Sequence, residues 1–139
     1  MIVQYCTFEL GGLLLGIAAR RVQEVLRSQP TTAVPLAPAA VRGLMNMRGQ
    51  LVLVVDLRRR FELEPADGSA RPVNVLIRSD ESLTSLLVDR VGDVLELEES
   101  RFEPVPDTLR GASRQLLIGA YQLPERLLLK LDPDKASAV

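Results

Sequence analysis

The side chains of this 139-residue chain whose grouping could suggest bond-making chemistry are carboxylates and a single thiol. There is no histidine. That removes imidazole acid–base catalysis, the common nucleophilic triads, most metal-site patterns and a phospho-accepting histidine. Cys6 has no imidazole to activate it, and on an alternating strand its expected role is that of a small buried hydrophobe. Glu96, Glu98 and Glu99 cluster where a strand should end and read as a solvated strand end. Asp56, Asp89 and Asp132 each follow an apolar run, where capping a helical turn is the expected role. Asp107, Asp132 and Asp134 lack the spacing of a calcium loop. No phosphate-binding loop, dinucleotide fingerprint or nucleophile elbow is present. These residues point away from an enzyme, and neither a cofactor nor a metal site is expected.

The charge balance narrows the partners. Seventeen basic and eighteen acidic residues leave a formal charge of −1, so no net field gathers a phosphate backbone or an anionic membrane. The five aromatics, Tyr5, Phe8, Phe61, Phe102 and Tyr121, are too scattered to form a base-stacking platform. The run Arg58-Arg59-Arg60 reads as solvated at the start of a helical turn, and nucleic acid is not an expected partner. A lone cysteine permits no internal disulfide and fits a reducing compartment. The first ten residues lack a basic stretch and a cleavage-like site, and apolar runs such as 51–55 are too short to cross a bilayer. A cytoplasmic protein without direct membrane contact is expected. Its length and its 47% hydrophobic content suit one domain with its own core.

Positioning falls to strands. Residues 2–10 alternate, Gly11-Gly12 signals a hairpin, and 13–17 follow as a second strand. Residues 18–26 are ambiguous between a helical face and a short turn leading into a strand. Pro30, Pro35 and Pro38 keep 31–38 out of any sheet interior. A hairpin pairs 43–47 with 51–55 around Arg48-Gly49-Gln50, and Asp56 caps a turn over 57–61. After a polar connector at 64–72, strands are expected at 73–78, 83–89, 91–97, 115–123 and 127–131, with 103–106 as loop and a frayed helix after Asp132.

The pattern is written twice. RVQEVL at 21–26 returns as RVGDVL at 90–95, an offset of 69. GLMNMRGQLVLVVD at 43–56 returns in outline as GAYQLPERLLLKLD at 119–132, an offset of 76. Two matches in the same order argue for two similar halves, 1–68 and 72–139, with room for a strand or the C-terminal tail to be exchanged between them. Many short strands with turn residues between them make an all-β chain of two barrels, about five strands each, packed side by side with short helical turns.

The blocks at 21–26, 35–58 and 86–97, above all the N-x-R-G turn at Asn46, Arg48 and Gly49 followed by Val55-Asp56-Leu57, resemble the CheW-like domain. The resemblance spans most of the chain. It implies SH3-like barrels and a non-catalytic adaptor. Such an adaptor couples the cytoplasmic tip of a chemoreceptor to the regulatory domain of a CheA-type histidine kinase within membrane receptor arrays. Leu53 stands where the family commonly has proline, and Thr84-Ser85 where a glycine is common. A paralogue serving another chemosensory system, such as one for pili, therefore stays open, as does, further off, a small-barrel ligand- or nucleic-acid-binding module. The resemblance also implies partner-binding residues. Val22 and Glu24 would meet a receptor helix, with Val22 alternatively in the core. Leu51 would extend that groove. Arg48 would stand at the interface or bridge to a nearby carboxylate, with Gly43, Asn46 and Gly49 shaping the backbone. Val91 and Asp93, the repeat equivalents of Val22 and Glu24, would face the kinase.

Overall fold

The strand at 22–27 alternates in burial, whereas those at 13–18 and 82–88 are buried along most of their length. The computed structural model describes residues 1–66, 68, 71–79 and 82–139, so the polar connector at 64–72 lies partly outside the described residues. The strands are β1 (Ile2–Leu10), β2 (Leu13–Ala18), β3 (Val22–Arg27), β4 (Val41–Met47), β5 (Gln50–Asp56), β6 (Val73–Ser79), β7 (Ser82–Val88), β8 (Arg90–Glu98), β9 (Leu117–Gln122) and β10 (Leu127–Leu131). Three one-turn helices interrupt them: α1 (Leu57–Arg60), α2 (Ala112–Gln115) and α3 (Pro133–Ser137). Asp56 and Asp132 cap α1 and α3 by accepting from backbone N–H groups, the role read from the sequence. Asp89 caps nothing. Its carboxylate takes a guanidinium instead.

Two five-stranded sheets form two SH3-like barrels, with strand orders β8-β1-β2-β10-β9 and β3-β6-β7-β5-β4. The repeat is real, yet the barrels do not follow the halves 1–68 and 72–139. Each repeat supplies two strands to one barrel and three to the other: barrel A holds β1 and β2 with β8, β9 and β10, and barrel B holds β6 and β7 with β3, β4 and β5. The exchange is therefore larger than a single strand or a tail. It takes place across a short link at each crossing. At one crossing the 3₁₀ turn at Ala19–Arg21 carries the chain from β2 to β3, and at the other Asp89 alone carries it from β7 to β8, so each step passes directly from one sheet to the other. Parallel pairs β2–β10 and β5–β7 close the exchange at equivalent places.

Successive residues on each strand face two different cores. Between the barrels lie Phe8, Leu10, Leu15, Ile17, Leu129 and Leu131 of barrel A against Val55, Val75, Ile77, Leu86 and Val88 of barrel B. Inside barrel A, Tyr5, Leu14, Leu128 and Tyr121 pack together, and the two tyrosine hydroxyls meet at 3.0 Å. Inside barrel B the equivalent cluster is Met45, Val52, Val54, Leu76 and Leu87. The ambiguous stretch 18–26 resolves into the 3₁₀ turn and β3. Its alternation is blurred by a β-bulge between Val22 and Glu24 and by the half-exposure of an edge strand. The strand expected from residue 115 starts two residues later, after α2. No helix among the described residues is long and apolar enough to cross a membrane.

Candidate docking site at the edge strands

The two duplicated RV…VL blocks form β3 and β8, and both are edge strands of their barrels. Register fixes which way each side chain faces, since directly opposed residues share a face. Val22 opposes Ile77 and Val25 opposes Val75, both members of the central core, so these valines lie on the inter-barrel face. Val91 and Val94 hold the equivalent places opposite Phe8 and Cys6. Val22 is half-buried and packs against the central core, whereas Val25 (38% exposed), Val91 (47%) and Val94 (60%) present apolar surface to solvent. Sequence reasoning singled out Val22 and Val91 but missed Val25 and Val94. Each sits three residues along the same block, and the bulge returns it to the same face. Cys6 is half-buried beside this strip, and burial raises its thiol pKa, so it behaves as the small hydrophobe expected.

Glu24 faces the other way. It opposes Leu76 of the barrel B interior and accepts a forked pair of bonds from Arg48 Nη1 and Nη2 at 3.0 and 2.8 Å. Arg48 reaches it from the β4–β5 hairpin, so the pair ties opposite edges of one sheet together and helps to close barrel B. Each partner shifts the other's pKa away from neutrality, Glu24 downward and Arg48 upward. The hairpin loop is two residues, Arg48 and Gly49, with φ of 51° and 88°, the positive pair that a type I′ turn requires. Asn46 Oδ1 accepts from Gly49 N at 2.8 Å and locks the turn. Leu51, opposite Asn46, is 66% exposed. Gly43 is buried at a bulge against the Thr32 backbone. Asp93 is exposed, and its carbonyl oxygen accepts from Thr7 Oγ1 at 2.5 Å. Among the described residues barrel A has no counterpart to the Glu24–Arg48 pair, because its hairpin carries Pro124 where barrel B carries Arg48. Arg48→Ala should lower the melting temperature much less than loss of a half-buried ion pair would, with the difference shrinking in high salt, because the Arg48 side chain is largely solvated. Thermal denaturation at low and high salt checks this.

Beside the β8 strip lies an open cleft of about 560 Å³, lined by Ile2, Val3, Gln4, Ala18, Arg20 and Glu96 among others. Ile2, Gln4, Val94 and Glu96 share the inter-barrel face of barrel A, so the cleft prolongs the valine strip. Its lining mixes apolar and polar groups, with Arg20 and the Met1 amino group set against Glu96. Nothing in it converges on a reacting atom.

Two SH3-like barrels with a shared core and an exposed apolar strip along an edge strand define a docking module. The model of the CheW-like domain matches residues 4–138, and the chain belongs to that family. It is 29% identical over 125 residues to a probable chemotaxis protein CheW of Rhizobium etli, covering 90% of this chain and 81% of that one. It is 28% identical to the chemotaxis protein CheW of Klebsiella aerogenes, over 95% of this chain and 80% of that protein. In fold it resembles the scaffolding protein TtCheW of Thermoanaerobacter tengcongensis, with a TM-score of 0.90 at 23% identity over all of this chain and 94% of that one.

Proposed function

We propose that this chain is a chemotaxis coupling adaptor that works by being held between partners. The observation carrying the reading is the strip Val91–Val94 with its adjoining cleft, apolar surface that a folded monomer has no internal reason to expose. The partner that fits is the cytoplasmic tip of a chemoreceptor, whose amphipathic helix lays its apolar stripe along the valines in helix-in-groove fashion. The second partner is the regulatory domain of a CheA-type kinase, and the complex sits at membrane receptor arrays. Val91, Val94, Asp93 and Leu51 are the contact residues in this reading. Val22, Glu24, Gly43, Asn46, Arg48 and Gly49 act by shaping the surface behind them. Membership of the CheW-like family, whose curated relatives are chemotaxis proteins, supports the assignment.

Val94→Asp places a carboxylate in the strip at an exposed position that leaves the core intact. It should weaken binding of a chemoreceptor signalling fragment at least tenfold in a calorimetric titration, with the melting curve unchanged. Binding as tight as that of the unaltered chain would sink the reading.

A further inference from the structure

The duplication supplies a second cleft. At an offset of 69, Ile2, Val3, Gln4 and Glu96 of the barrel A cleft correspond to Arg71, Pro72, Val73 and Arg27. These last four, with Ser28, line an open cleft of about 570 Å³ in barrel B. The two clefts thus share a backbone frame and nearly a volume, but not a charge. Where barrel A has isoleucine and glutamate, barrel B has two arginines, and among the described residues its lining holds no carboxylate. The same inversion recurs in the half-exposed ion pairs. Arg58 of α1 meets Asp89 at the β7–β8 crossing, while in the other barrel Asp134 of α3 meets Arg21 at the β2–β3 crossing.

We infer that the barrel B cleft, built by Arg27, Arg71, Pro72 and Val73, is a docking site for an acidic amphipathic segment of a partner protein. Val25 lies two residues before Arg27 on the same face of β3 and gives the cleft an apolar shoulder. A valine, a proline and another valine between two guanidinium groups suit a ligand that brings both carboxylates and alkyl side chains. A bare polyanion is a poorer match, because the chain as a whole carries a charge of −1 and has no field to concentrate one. The barrel A cleft, with the same frame, is a poorer match for the same segment, because Glu96 stands in place of Arg27 and opposes its carboxylates. The inference goes beyond the coupling reading and does not depend on it.

The test uses two synthetic amphipathic 16-residue peptides, one with leucines and glutamates and the other with the glutamates replaced by lysine, titrated into the full chain and followed by backbone amide shifts. The glutamate peptide should perturb amides at 25–28, 71 and 73, leave those at 2–4 and 94–98 in place, and bind more weakly as salt rises. Arg27→Glu, at an exposed side chain, should weaken it at least tenfold, and Glu96→Arg should open the barrel A cleft to it. Equal perturbation of both clefts, perturbation of neither, or an Arg27→Glu variant that binds unchanged would overturn the inference. So would sedimentation showing that the chain self-associates and that Arg27→Glu abolishes it, since a second copy would then be the occupant. The receptor titration above reads the other cleft, so either result can fail while the other stands.

Discussion

Gly43→Ala should lower the melting temperature by roughly 10 °C, corresponding to about 3 kcal/mol for a domain of this size. Gly43 has φ of 149°, a backbone conformation that side chains rarely adopt. A methyl group there would collide with the carbonyl of Thr32, lying 2.8 Å from its carbon. The neighbour is backbone, and it is pinned. Thr32 and Leu44 exchange two hydrogen bonds of 2.8 Å, and Asp56 N donates to Ala40 O at 2.7 Å, which holds the far end of the same loop. Overpacking costs about 1–3 kcal/mol and backbone strain a further 1–2, and neither can relax without releasing the 28–40 loop from β4. Gly119, the repeat equivalent, meets the same obstacle, with the Glu103 carbonyl oxygen 2.6 Å from its would-be Cβ and the ring of Phe102 alongside. Circular dichroism melts of both alanine variants are the measurement. A change of less than about 2 °C in the Gly43 variant would mean that the Thr32 segment gives way easily, contrary to the packing described.

Loss of Asp89 should cost about 2–4 kcal/mol, toward the lower end for a buried pair because some water reaches it. Its Oδ1 and Oδ2 accept from Arg58 Nε and Nη2 at 2.7 and 2.6 Å, and Oδ2 also accepts from Gly11 N at 2.9 Å. Asp89 thereby joins the helical turn after β5 in barrel B to the β1–β2 hairpin of barrel A. Removing it leaves the Arg58 guanidinium, only 22% exposed, without its forked partner. The Arg58 side chain holds the Asp89 carboxyl below the usual carboxylate range, with the Gly11 N–H adding to the effect and desolvation opposing it. A folded-state pKa below the unfolded one stabilises the protein above the unfolded value near 3.9 and loses that contribution as pH falls through the folded pKa. Asp89→Asn should therefore melt well below the unaltered chain at pH 7 and converge with it as pH falls through the lowered folded-state pKa of Asp89. Parallel curves at all pH values would show that Asp89 stabilises by shape rather than by charge.

Local chemistry was readable in the residues. The hairpin at Asn46 to Gly49, the caps at Asp56 and Asp132, and strand limits within a residue or two at 2–10, 43–47 and 127–131 follow from turn propensity, capping and alternation, all decided by neighbours in sequence. Where the reading faltered, an irregularity hid the period. The bulge at Val22–Glu24 disguised β3, and the short α2 turn blurred the start of β9. Arg58, expected to be solvated within an arginine run, proved half-buried because its carboxylate partner lies 31 residues away.

Taken alone, the sequence determined the kind of protein this is: an all-β, duplicated chain without imidazole chemistry, built on periodicity and composition that need no partner in space. Tertiary structure decided how the copies interlock and which side chains remain outside. Each repeat lends strands to the other barrel across crossings of three residues and one, and the register of those non-local pairings then chooses which valines face a partner and which are buried. Glu24 and Arg48 are 24 residues apart in the chain yet share a forked bond, because closing a barrel brings the two edges of its sheet together. Such distances are set by the whole fold, and no window of neighbouring residues encodes them.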